Sequence, residues 1–153
     1  MLEISIREND EFIKLGQAMK KAGLADLFLD QLDIWRNQLD EGMTTWAEMP
    51  SPTRSDCHAW GASPNIELYR IVLGIDSDAP GFSRVRIAPS LGGLREVSGS
   101  MPHPNGQIRA AYQLNKKGQG KARLTLPEGT TGTFIWKGQS YPLHAGEQEV
   151  ELR

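Results

Sequence analysis

The sequence is poor in the residues that staple or target a protein. One cysteine, Cys57, excludes an internal disulfide and a multi-cysteine metal cage, and a lone thiol suits cytoplasm and periplasm alike. No run of like charge occurs: 17 Lys and Arg stand against 19 Asp and Glu, a formal net charge of −2. Neither nucleic acid nor an anionic membrane is therefore an expected partner. Long apolar runs are missing too, because the longest helical stretch, Leu24 to Glu41, is broken by Asp26, Asp30, Asp33, Arg36 and Asp40. The N-terminus shows no basic-then-apolar signal pattern. Three histidines, His58, His103 and His144, lie too far apart for a His-x-x-x-His pair, so neither a metal nor another cofactor is expected. There is no Gly-x-Ser-x-Gly elbow, phosphate-cradling glycine loop or internal repeat.

What is present falls into two textures that change near residue 76. From Asp10 to Ala22, Phe12, Leu15 and Met19 recur at helical spacing, with Gly23 placed as a C-cap. From Leu24 to Glu41, Leu27, Phe28, Leu32, Trp35 and Leu39 share one face, and Gly42 follows. The short link between these helices predicts an antiparallel hairpin. Leu29 and Ile34 lie off the main stripe and point to burial on a second side. After a loop from Met43 to Ser63, a third helix is expected with Ser63 as N-cap, Pro64 in its first turn and Gly74 at its end, its start set only to within several residues because helical turns can begin near His58.

Beyond Ile75 the pattern becomes short alternating runs: Arg84–Ala88, Leu94–Met101, Gln107–Leu114, Lys121–Leu126, Thr133–Trp136 and Glu147–Leu152. Turn residues at Pro104-Asn105-Gly106, Lys117-Gly118, Glu128-Gly129 and Lys137-Gly138-Gln139 predict antiparallel pairing of neighbours, stacked as a sandwich. The fold class is thus α+β, a short helical segment at 1–75 followed by an antiparallel β-sandwich at 76–153. The helical segment is thin for a self-sufficient domain.

The residues with chemistry crowd the loop after the second helix: Trp46, Glu48, Arg54, Asp56, Cys57, His58 and Trp60. Glu48 can act as a general base toward water, or serve as a helix-terminus or salt-bridge glutamate. Trp46 and Trp60 can be platforms for sugar rings, or core filling. His58 can donate hydrogen bonds to hydroxyls. Cys57 beside His58 does not read as a thiol nucleophile with its base, since adjacent side chains diverge.

These residues carry a resemblance. Thr-Thr-Trp-Ala-Glu at 44–48, Ser-Asp-Cys-His-Ala-Trp-Gly-Ala-Ser-Pro at 55–64, Val-Leu-Gly-Ile at 72–75, Pro-Gly-Phe at 80–82 and Val-Arg-Ile-Ala-Pro at 85–89 resemble the C-terminal part of the bacterial α-L-rhamnosidases, glycoside hydrolase family 78. The resemblance implies that 1–75 are the last helices of an (α/α)6 barrel, a remnant of the catalytic domain, and that a β-sandwich follows. It implies inverting hydrolysis of terminal α-L-rhamnosides with Glu48 as general base, His58 touching the sugar and Trp60 walling the pocket. The general acid would lie in barrel segments upstream, so the chain by itself is expected to be inactive. Expected partners are a rhamnoside-type carbohydrate and the remainder of the catalytic domain or a second copy. A non-catalytic β-sandwich that binds carbohydrate or docks between domains is the alternative.

Overall fold

The computed structural model describes residues 9–49, 52–53 and 55–153. The chain divides into two compact units, Met1–Glu67 and Leu68–Arg153. Among the described residues no helix is long and apolar enough to cross a membrane.

In the first unit, α1 spans Asn9–Lys21. It ends at Gly23 as expected: the Leu24 N–H donates to the Met19 carbonyl at 2.8 Å and the Gly23 N–H to the Lys20 carbonyl at 3.3 Å, the bond pair of a Schellman cap. The single helix expected from Leu24 to Glu41 is instead two segments, a 3₁₀-helix at Ala25–Leu32 and α2 at Asp33–Asp40. The tighter 3₁₀ turn repeats every third residue and buries Ala25 and Phe28, after which α2 buries Trp35 and Gln38. Leu27 and Leu39, expected inside, are consequently 49% and 58% exposed. Across the junction, Arg36 donates to the Leu29 carbonyl at 2.7 Å and to Asp33 at 2.8 Å. Phe12 is fully buried, with its ring 5.4 Å from Phe28 and 4.5 Å from Trp35.

The third helix also departs from expectation. A 3₁₀ turn at Ala59–Ala62 precedes α3, which covers only Ser63–Glu67. Ser63 is already helical, at φ −52° and ψ −33°, so its hydroxyl is not a cap and lies buried without a hydrogen-bond partner among the described residues. The turn supplies the helix entry, in keeping with helical turns that begin near His58. Glu67 is fully buried, and the Gln17 amide donates to its carboxylate at 2.5 Å, tying α1 to α3.

The second unit opens with a π-helix at Leu68–Val72, closed by a 3.0 Å bond from the Leu73 N–H to the Leu68 carbonyl. Gly74 then turns the chain at φ 76°, and a Cβ there would lie 2.3 Å from the backbone of Ala88 and Pro89. Eight strands follow: β1 Ile75–Ser77, β2 Arg84–Ile87, β3 Glu96–His103, β4 Gly106–Leu114, β5 Gly120–Leu126, β6 Thr131–Trp136, β7 Gln139–Leu143 and β8 Gly146–Leu152. They form two sheets, ordered β1-β2-β6-β7 and β3-β4-β5-β8, whose pairings are antiparallel except for one. β2 and β6 run parallel, from Arg84 opposite Thr131 to Ile87 opposite Phe134. The sequence neighbours that share a sheet, β1 with β2, β3 with β4, β4 with β5 and β6 with β7, pair antiparallel, whereas β2 and β6 meet only after the chain has crossed to the other sheet and built β3, β4 and β5 there. For the same reason Glu128-Gly129 is not a hairpin turn: it carries the chain from β5 in one sheet to β6 in the other.

Strand alternation builds the sandwich core. Ile108, Ala110 and Tyr112 of β4 and Ala122, Leu124 and Leu126 of β5 face inward, meeting Ile75, Val85, Ile87, Phe134 and Leu143 from the other sheet. Tyr112 is fully buried, and its hydroxyl donates to the Leu73 carbonyl at 2.7 Å. Burial alone pushes its pKa above the usual tyrosine range.

Candidate functional site

The loop after α2 is shaped by two backbone bonds between its limbs. The His58 N–H donates to the Trp46 carbonyl at 2.8 Å, and the Glu48 N–H to the Ser55 carbonyl at 2.9 Å. The Thr45 hydroxyl adds a bond of 2.6 Å to the Asp56 carbonyl. Together these bring Trp46 and Glu48 beside Ser55 to His58, so residues seven to twelve apart in sequence share one tight structure.

One short helix holds both limbs of that loop. From α2, the Gln38 side-chain oxygen accepts the Ala47 N–H at 3.0 Å, one residue before Glu48. From the same face, the Trp35 indole N–H donates to the Gly61 carbonyl at 2.7 Å, one residue after Trp60. Both anchors are buried, where an unmade bond costs about 1–3 kcal/mol, so the loop is fixed strongly at these points. Gly61 is required there: a Cβ would lie 2.7 Å from the Ala47 carbonyl oxygen and 2.8 Å from the Trp46 Cβ.

The residues singled out in sequence differ in exposure. Trp46, Glu48 and His58 are half-buried, whereas Trp60 is 69% exposed. The His58 and Trp60 rings meet edge to face at 5.7 Å. Asp56 and Cys57 are exposed at the surface. Arg54 lies outside the described residues. Among the described residues, no three His, Cys, Asp or Glu side chains gather as a metal-ligand set. Trp35 and Gln38 were not recognised as site residues from sequence, although a glutamine on the apolar face of a helix is the kind of signal that marks a buried polar anchor.

This arrangement offers one half-buried carboxylate, Glu48, with one imidazole and two indoles, on a backbone anchored by α2. A carboxylate of this kind can accept a proton from water, and an exposed indole can lie against the C–H face of a sugar ring. Acid–base cleavage of a glycoside needs two carboxylates; the other one that the loop carries among the described residues, Asp56, is exposed at the surface.

A family model described as the bacterial alpha-L-rhamnosidase C-terminal domain matches residues 74–151. No curated protein sequence matches the chain. Among solved structures, the chain is similar to the alpha-L-rhamnosidase of Aspergillus terreus, with a TM-score of 0.82, 22% identity, and coverage of 93% of this chain and 19% of that one. The Streptomyces avermitilis alpha-L-rhamnosidase complexed with L-rhamnose gives a TM-score of 0.80 at 17% identity, covering 93% of this chain and 17% of that one. The GH78 family rhamnosidase of Bacillus sp. GL1 gives 0.72 at 30% identity, covering 85% and 16%. The chain therefore spans less than a fifth of the length of each of these solved relatives.

Proposed function

The chain belongs to the family of bacterial α-L-rhamnosidase C-terminal domains, and from that premise we propose that it is the C-terminal part of an inverting hydrolase of terminal α-L-rhamnosides. In this reading residues 1–75 are the closing helices of an (α/α)6 catalytic domain and residues 76–153 its β-sandwich. Glu48 is the general base, taking a proton from the water that attacks the anomeric carbon from the face opposite the leaving group. His58 donates to a sugar hydroxyl, and Trp46 and Trp60 hold the ring's apolar faces. The acid that protonates the leaving oxygen comes from polypeptide outside these 153 residues, so the chain alone does not turn over.

The observation that carries this reading is the double anchoring of the loop by Trp35 and Gln38, which fixes the backbone next to Trp60 and next to Glu48 from one helix. Preorganisation of that kind serves a base that must meet its water at one position. Apolar side chains left exposed in the helical unit, among them Leu24, Leu27 and Leu39, agree with further layers packing over it.

The test has two arms. An aryl α-L-rhamnoside incubated with the chain is expected to hydrolyse no faster than in buffer; turnover that disappears in Glu48→Gln would overturn the incomplete-site reading. In a chimera carrying this chain in place of the matching part of the Bacillus sp. GL1 enzyme, activity is expected. There Glu48→Gln should lower kcat by roughly 10²-fold or more, as loss of a general base does. A fully active Glu48→Gln chimera would remove Glu48 from that role.

A further inference from the structure

The sandwich carries a concavity that the proposed hydrolysis does not use. β7 and β8 are edge strands of opposite sheets. A cavity of about 690 Å³ there is lined by residues that include Trp136, Tyr141, Val150 and Glu151. The rings of Tyr112, Phe134 and Tyr141 follow one another at 6.4 and 5.9 Å, so the aromatic core continues outward to this surface. Trp136 is half-buried, its indole nitrogen is enclosed without a hydrogen-bond partner among the described residues, and Lys137 holds its ring from 5.6 Å. A second concavity of about 850 Å³ shares Glu151 and Arg153 with the first and adds the amides of Gln113 and Gln119.

We propose that these two adjoining concavities bind a neutral oligosaccharide, with one sugar ring in the first, beside Trp136 and Tyr141, and the next unit in the second, bonded to Glu151 and the two glutamines. The chemistry of the lining selects this class. Rings that present an apolar surface suit the C–H faces of a pyranose, and amides and carboxylates suit its hydroxyls. A peptide added as a further strand is disfavoured, since β7 contains Pro142 and β8 carries Glu147, Glu149 and Glu151, residues that blunt an edge. The charged residues that line the first cavity balance, Lys137 and Arg153 against Glu149 and Glu151, so its lining gives an anionic ligand no net attraction; Lys121 is already bonded to Glu149 and Glu151, at 2.6 and 3.3 Å. The site lies wholly within the second unit and does not depend on Glu48 being a base.

Titration of the ¹⁵N-labelled full chain with cellohexaose, xylohexaose and mannohexaose, followed by NMR, tests the assignment. At least one of the three is expected to shift the Trp136 indole resonance and the β7 and β8 amides with millimolar affinity or better. Trp136→Ala should weaken that binding about tenfold. Because Trp136 also packs on the core, the exposed Glu151→Ala is the second variant, expected to weaken binding about threefold with the amide spectrum otherwise retained. Trp60→Ala in the other unit should leave it unchanged. No response to any of the three sugars, shifts confined to the Trp46–Trp60 loop, or binding that survives Trp136→Ala and Glu151→Ala alike would overturn the proposal.

Discussion

In the helical unit Leu24, Leu27, Leu39, Met49, Trp60 and Ile66 stand exposed, whereas in the sandwich Leu94 is the one large apolar side chain so exposed among the described residues. Both units are built from ordinary amphipathic patterns, so the difference lies in layers. A sheet that pairs with a second sheet closes its own core, and the ladders satisfy the backbone as they form. The five short helical segments of the first unit are held by Phe12, Phe28 and Trp35 and by polar anchors such as Gln17 on Glu67. The sandwich is complete as a structure, and the helical unit offers faces for something else to cover, in line with the function proposed for it.

The strongest way to break this comparison is to damage each core in turn. Phe134→Ala should destabilise the sandwich by about 3–5 kcal/mol, read as a fall in the urea midpoint of the Leu68–Arg153 amides by hydrogen exchange. Phe12→Ala should instead raise exchange in α1, α2 and the 3₁₀-helix between them while the strands stay protected. Equal loss of protection in both units from either substitution would show one cooperative core and end the distinction.

A smaller effect follows from single buried hydrogen bonds, one in each unit. Tyr112→Phe leaves the Leu73 carbonyl without its donor and should cost about 1–3 kcal/mol, measured by thermal or urea unfolding. Because burial raises the Tyr112 pKa above its ordinary value of 10.0, its neutral form is favoured in the folded state. That contribution is fully present below pH 10.0 and is lost as pH rises above it, so the parent should show an alkaline decline that Tyr112→Phe lacks. Trp35→Phe removes the bond to Gly61 and should act locally, speeding amide exchange at Gly61, Ala47 and Glu48 more than in α1. If Trp35→Phe leaves those amides unchanged, the loop is not held by α2.

The comparison also explains what could be read from sequence. The strands were legible because alternation and turn residues act over short distances: Lys137 and Gly138 both take positive φ, as a two-residue hairpin turn requires. The parallel meeting of β2 and β6 was not, since nothing local to Arg84–Ile87 says which distant strand will lie beside it. β7 was hidden by Pro142, which an edge strand tolerates. In the helical unit, the apolar positions from Leu24 to Leu39 fitted a 3.6-residue repeat, and only the packing of Phe12 against Phe28 and Trp35 decides between that pitch and a 3₁₀ turn. The candidate loop residues were singled out by their chemistry, while the residues that anchor the loop looked like ordinary helix positions.

The smallest effect separates the sandwich's core from its outer face. Lys121 reaches Glu149 and Glu151, and Arg123 reaches Glu149 at 3.2 Å, a row of exposed ions across β5 and β8. The Lys121 hydrogen bond, followed by that of Arg123, holds the Glu149 carboxyl below its usual range, and bonding to Glu149 and then Glu151 raises Lys121. By linkage, the Glu149 contribution is present above its unfolded pKa and lost as pH falls through the folded value; that of Lys121 is present below its unfolded pKa and lost as pH rises through the folded value. Exposure and counterions screen these pairs, so Glu149→Gln should lower the unfolding temperature only slightly, and less still in about 1 M salt, where the screening length is ~3 Å. An effect as large as that of Phe134→Ala, or one indifferent to salt, would mean that the outer face and not the closed core holds the sandwich together, and the contrast with the helical unit would then rest on charge rather than on layers.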